Sequence, residues 1–196
     1  MPKVGMEPLR RDALIRACIA EIGEAGSLSV TVGRIAARAG VSPALAHHYF
    51  GSKDRILLAA MRHILREFGL TVRLGLAGAN DPEARVRAIV RASFSPEQFS
   101  RECIASWLAF YVLAQTSPEA ARLLRVYAER LDSNLVHGLR PLVGESDARR
   151  IAQGLASMID GFYIRCALQD RAPDGAGAEA AVNDYLDLCL AREHAA

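Results

Sequence analysis

The sequence is poor in the groupings from which catalytic centres are made. Its five histidines are scattered, and the one adjacent pair, His47 and His48, would point about 100° apart on a helix, too far to chelate one metal. There is no G-x-S-x-G, no H-E-x-x-H and no glycine-rich phosphate loop. The expectation is therefore no enzyme, with no catalytic residues, no metal and no cofactor. The four cysteines, Cys18, Cys103, Cys166 and Cys189, form no C-x-x-C pair and each falls within a helical pattern, so they read as buried thiols. Apolar runs are short and broken by Arg, Glu or Gly, whereas a membrane span needs roughly 20 apolar residues. The first residues lack the apolar stretch of a secretory signal, so the chain is expected in the cytoplasm with no membrane partner. Strictly alternating β-branched runs are missing too, which argues against strands.

What is present is helical. Apolar residues make up 51% of the 196 positions, enough to bury a core. Amphipathic periodicity predicts a first helix over Leu9–Ala25, stopped by Gly26. Thr31 caps a short helix to about Ala39, Gly40 ends it, and Ser42 caps a second short helix to Tyr49-Phe50. After Gly51-Ser52, Lys53 opens a long helix towards Gly75 or Leu76. Further starts are expected at Asp81-Pro82, Ser95-Pro96 and Ser117-Pro118, where a cap precedes a proline in the first turn. The third of these helices should stop before Pro141. Two more are predicted, Ser146–Asp170 and Ala178–Arg192. The chain thus reads as all-α, with a head over residues 1–55 and a body over 56–196.

Charge is divided unevenly. Residues 1–62 hold nine Lys and Arg against five Asp and Glu, a net +4, which leaves the remainder at −2 of the overall +2. A small basic head on a faintly acidic body suits a nucleic-acid contact confined to the head.

The segment Thr31–Lys53, TVGRIAARAGVSPALAHHYFGSK, gives that contact a form. Two short capped helices meet at Ala39-Gly40-Val41-Ser42, where Gly40 can take the positive φ of a sharp turn. Ile35, Ala36, Val41, Ala46 and Phe50 can pack against the first helix. The second short helix is then a clamped rod narrow enough for a DNA major groove. Ser42, Pro43, Ala44, Leu45 and His48 are placed for base edges. His47, Tyr49 and Lys53 suit phosphates, with Thr31, Arg34 and the Lys3, Arg10 and Arg11 arm as further backbone contacts.

This segment, with I-A-x-x-A-G-V-S followed by H-Y-F-G-S-K, resembles the DNA-binding head of the TetR family of one-component regulators. The resemblance implies an all-α homodimer with a three-helix helix-turn-helix head and a C-terminal ligand-binding and dimerisation domain. The opening MPKVGMEPLRR, Ala105–Tyr111, Arg130–Leu135 and Ile159–Arg165 further resemble the subfamily of choline-responsive repressors of glycine betaine synthesis. Ala44-Leu45-Ala46-His47 departs from the bulkier or more polar residues common there, so no operator sequence is carried over.

In the body, Trp107, Phe110 and Tyr111 share one helical face by their i, i+3, i+4 spacing. Asp160 and Tyr163 share a face on a later helix, and Tyr127 lies on the helix between. Aromatic faces and a carboxylate are what a quaternary ammonium requires, since its methyls donate no hydrogen bond. The same aromatic spacing also fits plain core or a dimer interface, and Asp160 could instead pair with Arg165. The resemblance favours choline as effector, operator DNA as target and a second copy of the chain as partner. The last two helices would form a four-helix bundle with their mates through Ile151, Leu155, Met158, Ile159, Leu186, Leu188 and Leu190. A regulator answering a different small molecule, or a helical interaction module, are the alternatives.

Overall fold

The computed structural model describes residues 5–194, with the side chains of the last two left aside. Eight helices are present among them and no strands: α1 (Met6–Ala25), α2 (Val32–Arg38), α3 (Pro43–Phe50), α4 (Lys53–Ala77), α5 (Pro82–Ser93), α6 (Arg101–Ala114), α7 (Pro118–Ala167) and α8 (Gly175–His194). The punctuation follows local chemistry. Thr31, Ser42, Ser52, Asp81 and Ser117 each accept a backbone N–H from the residue three positions on, supplying a partner for a donor the helix leaves open. Gly26 and Gly40 take left-handed φ of 60° and 66°.

Two boundaries differ from the sequence reading. Ser95-Pro96 opens only one turn, in which the Ser95 carbonyl accepts from Gln98 N and Phe99 N. The chain then extends at Ser100, whose hydroxyl accepts from Cys103 N, so α6 starts at Arg101. Two caps five residues apart compete, and burial of Gln98 and Phe99 decides for the later one. Pro141 does not end its helix. The helix tolerates the missing N–H for two more residues and breaks at Gly144, whose φ of 77° and ψ of 175° exclude a side chain. This divides α7 into a first arm (118–143) and a second arm (145–167).

Two apolar clusters result. One, around Leu14, Cys18, Ile22, Ile35, Ala46, Phe50 and Leu57, holds α1–α3 against the start of α4 and extends to Ala109 of α6. The other fills the body from α4 to α8. Helix α6 therefore belongs to both, packing on α1 with one face and on α7 with another. The contact with α1 is tight: a Cβ on Gly23 would lie 2.9 Å from Glu102 Cα. Helices α5 and α7 cross as closely at Gly138, where a Cβ would come within 2.8 Å of Val86 Cγ2 and 3.3 Å of the Pro82 carbonyl. Gly138→Ala should consequently destabilise the body by about 1–3 kcal/mol, the usual cost of overpacking. Urea unfolding measures it, and an unchanged midpoint would show that the crossing has slack.

Ile151, Leu155, Ile159 and Leu186, expected at a dimer interface, are 0–1% exposed within the single chain. They hold the second arm of α7 and α8 into their own subunit. Of the residues expected there only Leu188 faces outward; Ser157 and Ile164 on the second arm of α7 and Leu168 just beyond it are exposed beside it.

Candidate functional site: a helix-turn-helix head and an aromatic cluster

Helix α3 presents Ser42, Pro43, Ala44, His47 and His48 to solvent, keeps Leu45 and Tyr49 half-buried, and anchors itself through Ala46 and Phe50. Its exposed face is therefore the one the sequence pattern assigned to base edges. The clamp beneath it has two parts. Arg11 donates to the Tyr49 carbonyl at 2.5 Å, and its guanidinium lies 4.4 Å from the centre of the Phe50 ring. Arg38 donates to Glu21 Oε1 at 2.6 Å and also pairs with Glu24, tying α2 to α1.

Besides Arg11, expected in a DNA-contacting arm but engaged in the clamp, three head residues sit otherwise than the sequence suggested. Lys53 is half-buried and its Nζ donates to the Leu28 carbonyl at 2.8 Å, so it braces the α1–α2 loop. Arg34 places Nε 2.7 Å from Glu21 Oε2, at an angle that makes it a charge pair rather than a hydrogen bond. Its exposed remainder still faces solvent. His47 Nδ1 lies 3.3 Å from the Gly51 carbonyl, within the helix's own C-cap. Thr31 is exposed and Arg10 likewise, while Lys3 lies outside the described residues.

Sequence reading did not find Glu21, which is only 4% exposed. Arg38, then Arg34, hold its carboxyl below the ordinary value of 4.5 against the opposing effect of burial. A lowered folded-state pKa means the ion pair supports the head above the unfolded value and is lost as pH falls below it. The head should therefore loosen on acidification below about pH 4.5, and Glu21→Gln should flatten that dependence while lowering its stability at pH 7. Thermal melts from pH 3 to 7 test both; identical slopes for the two proteins would remove Glu21 from the clamp.

In the body, Trp107 lies at the centre of an aromatic cluster. Its ring centroid is 4.6 Å from Tyr127, 5.8 Å from Tyr111 and 6.2 Å from Tyr163. Tyr111 donates its hydroxyl to Asp160 Oδ1 at 3.0 Å. Asp160 makes no pair with Arg165, and burial holds its carboxyl above the usual range despite the tyrosine's opposing hydrogen bond. Burial likewise raises Tyr111, Tyr127 and Tyr163, so all three remain neutral phenols. The Tyr163 hydroxyl donates to the carbonyls of Ser93 and Gln98 at 2.7 and 3.1 Å, pinning the α5–α6 loop. The Trp107 Nε1 is buried without a hydrogen-bond partner of normal geometry.

Five of the six body residues picked from sequence therefore meet. The sixth, Phe110, does not: it turns towards α1 and α4, beside Ile22, Leu57 and Met61. A step of three residues on α6 rotates it off the Trp107 face, to the edge of the body core that borders the head. Phe94 and Phe99, missed from sequence, back the ring of Tyr163 with centroids at 6.5 and 5.1 Å. Reading 95–100 as a helix start concealed them. The thiol of Cys103, one turn before Trp107, is pushed up to about 12 by burial and is inert.

Comparison with known proteins bears on both sites. Residues 14–60 match the family model of bacterial regulatory proteins, tetR family. Residues 82–191 match that of the BetI-type transcriptional repressor, C-terminal. The HTH-type transcriptional regulator BetI of Brucella abortus is 55% identical over 196 residues, covering 100% of this chain and 99% of that protein. The regulator of the same name from Agrobacterium fabrum is 50% identical over 190 residues, or 97% and 92% of the two chains. Among solved structures, a transcriptional regulator of Rhodococcus sp. Rha1 superposes with a TM-score of 0.81 at 24% identity, covering 92% of this chain and 95% of that one. A regulator of Saccharomonospora viridis solved in complex with choline gives 0.77 at 22% identity, covering 90% and 95%.

Proposed function

The chain belongs to the TetR family of bacterial transcriptional regulators, with a BetI-type C-terminal domain and relatives that are regulators rather than enzymes, and we propose that it represses the genes for glycine betaine synthesis from choline and is relieved by choline itself. The observation that carries the choline reading is the Asp160 carboxylate at the edge of the Trp107–Tyr111–Tyr127–Tyr163 cluster, engaged by a single tyrosine hydroxyl. Aromatic faces each contribute roughly 0.5–2 kcal/mol to holding a quaternary ammonium, and a carboxylate supplies its counter-charge. The choline-bound relative of the same fold and the name of the closely similar regulators support this choice of ligand.

The rings now touch one another, so a trimethylammonium enters by parting Trp107 and Tyr127. Movement of Trp107 and Tyr111 is movement of α6, whose other face packs on α1. Helix α6 thus offers a direct path from cage to head. Choline shifts the protein only by its differential affinity for the two arrangements. Operator binding uses two heads, and a second copy would dock on the outward faces of the α7 second arm and α8 through Ser157, Ile164 and Leu188. Two-fold symmetry then places the recognition helices about 34 Å or a multiple apart on a near-palindromic site.

A calorimetric titration with choline and with glycine betaine tests the ligand assignment. Choline should saturate near one per chain. Glycine betaine carries the same trimethylammonium but brings a carboxylate towards Asp160, so it should bind at least tenfold more weakly. Equal binding of the two, or no heat from choline, would remove Asp160 and the cluster from ligand recognition.

A further inference from the structure

A second cleft in the body has the opposite electrostatic character. It lies between α4 and the first arm of α7, with a volume of about 520 Å³, within the usual range for small-molecule sites. Its floor is apolar, with Leu65, Phe68, Val72 and Leu131 among the lining side chains. Four guanidiniums edge it, Arg62, Arg66 and Arg73 along α4 and Arg130 on α7, and no carboxylate lines it. Glu119 engages Arg62, and His63 Nδ1 lies 2.9 Å from Arg66. Arg73 and Arg130 have neither an ion pair nor a hydrogen bond among the described residues. Two unpaired guanidiniums over an apolar floor, in a body whose net charge is −1, form a concentrated site of complementary charge for an anion.

We propose that this cleft is a separate small-molecule site for an amphipathic anion, an apolar chain bearing a carboxylate head. The chain lies along the floor, and the carboxylate takes the guanidinium forks of Arg73 and Arg130. A quaternary ammonium is excluded by the same charges. The site shares one wall with the aromatic cluster: Tyr127 lies 4.6 Å from Trp107 and 5.7 Å from Phe68. An occupant pressing on Phe68 and Tyr127 therefore changes the cluster's affinity for its own ligand, and by linkage the reverse holds. Helix α4 forms the other wall and continues to Lys53 in the head, so the occupant also bears on the head.

Calorimetry on the full-length protein with dodecanoate, below its micellar concentration, tests the site. Dodecyltrimethylammonium serves as the same chain with reversed charge. Dodecanoate should bind saturably near one per chain, and Arg73→Ala/Arg130→Ala should weaken it tenfold or more, as expected for lost charge-assisted hydrogen bonds. Both arginines are exposed, so far-UV dichroism of the double variant should match the parent. Val126→Glu, which adds a carboxylate to the cleft wall, should weaken it likewise. Asp160→Asn should leave dodecanoate binding intact, which separates this site from the aromatic cluster whatever the latter binds. Binding that is absent, unaffected by both cleft variants, lost in Asp160→Asn, or displaced equally well by dodecyltrimethylammonium would overturn the assignment.

Discussion

Asp160→Asn should lower choline affinity by about a hundredfold and leave DNA binding intact. The amide oxygen can still accept the Tyr111 hydroxyl, so the geometry of the cluster is kept while its charge is removed. A cation about 5 Å from a half-buried carboxylate gains roughly 3 kcal/mol at an effective dielectric of 20, and each 1.4 kcal/mol is tenfold. The same residue sets a pH dependence. Burial raises the Asp160 pKa above its ordinary 3.8, so the folded state holds this proton more tightly than the unfolded chain does. That contribution is complete below the unfolded value and is lost as pH rises through the folded one. At pH 7 the buried charge is thus a net cost, and the neutral asparagine should melt no lower than the parent. Choline affinity in the parent should fall as pH drops through the raised value, with a proton released on binding, and Asp160→Asn should abolish that dependence. Calorimetry in two buffers of different ionisation enthalpy reads the proton directly. Parent-like affinity in Asp160→Asn would show that the carboxylate does not face the ligand.

Ala44→Glu should reduce operator affinity by a hundredfold or more without unfolding the head. Ala44 is exposed in the first turn of α3, a position where a carboxylate favours the helix by its dipole. Docked in a major groove, that carboxylate meets phosphates and base acceptors from both strands, and like charges at an interface cost several kcal/mol. Tyr49→Ala should have a smaller effect, since its ring is half-buried beside His48. Fluorescence anisotropy over a salt series gives both values. An Ala44→Glu protein that binds DNA as the parent does would mean that α3 does not enter the groove. Lys53→Ala is the less informative choice, because losing the bond to Leu28 O loosens the head itself.

The helices and the head were legible because their signals are local. Thr31, Ser42 and Gly40 act within three or four residues of themselves, and a helix cap needs no tertiary partner to be recognised. The aromatic cluster was legible in part because helical spacing puts Trp107 and Tyr111 on one face and Asp160 and Tyr163 on another. Spacing does not say which neighbour a face meets. Phe110, one step round α6, turns to the side of the body core that borders α1 and α4, and the Asp160 carboxylate finds Tyr111 rather than Arg165. Long-range polar bonds were invisible for the same reason. Glu21 with Arg38, Lys53 with Leu28 O, and Tyr163 with Ser93 O join positions 17 to 70 residues apart. The apolar stripe on the second arm of α7 was read as a partner surface because periodicity shows that a face is buried, not by what. Here α8 and the body of the same chain cover it.

Transcription in vitro from the promoter of the choline-oxidising genes tests the central claim most directly, because it reads repression whether choline releases the protein or acts on it while bound. The parent protein should repress, choline should restore transcription, and glycine betaine should not. Asp160→Asn should repress equally and stay insensitive to choline. Repression that choline leaves untouched in the parent, or that choline relieves equally in Asp160→Asn, would contradict the account.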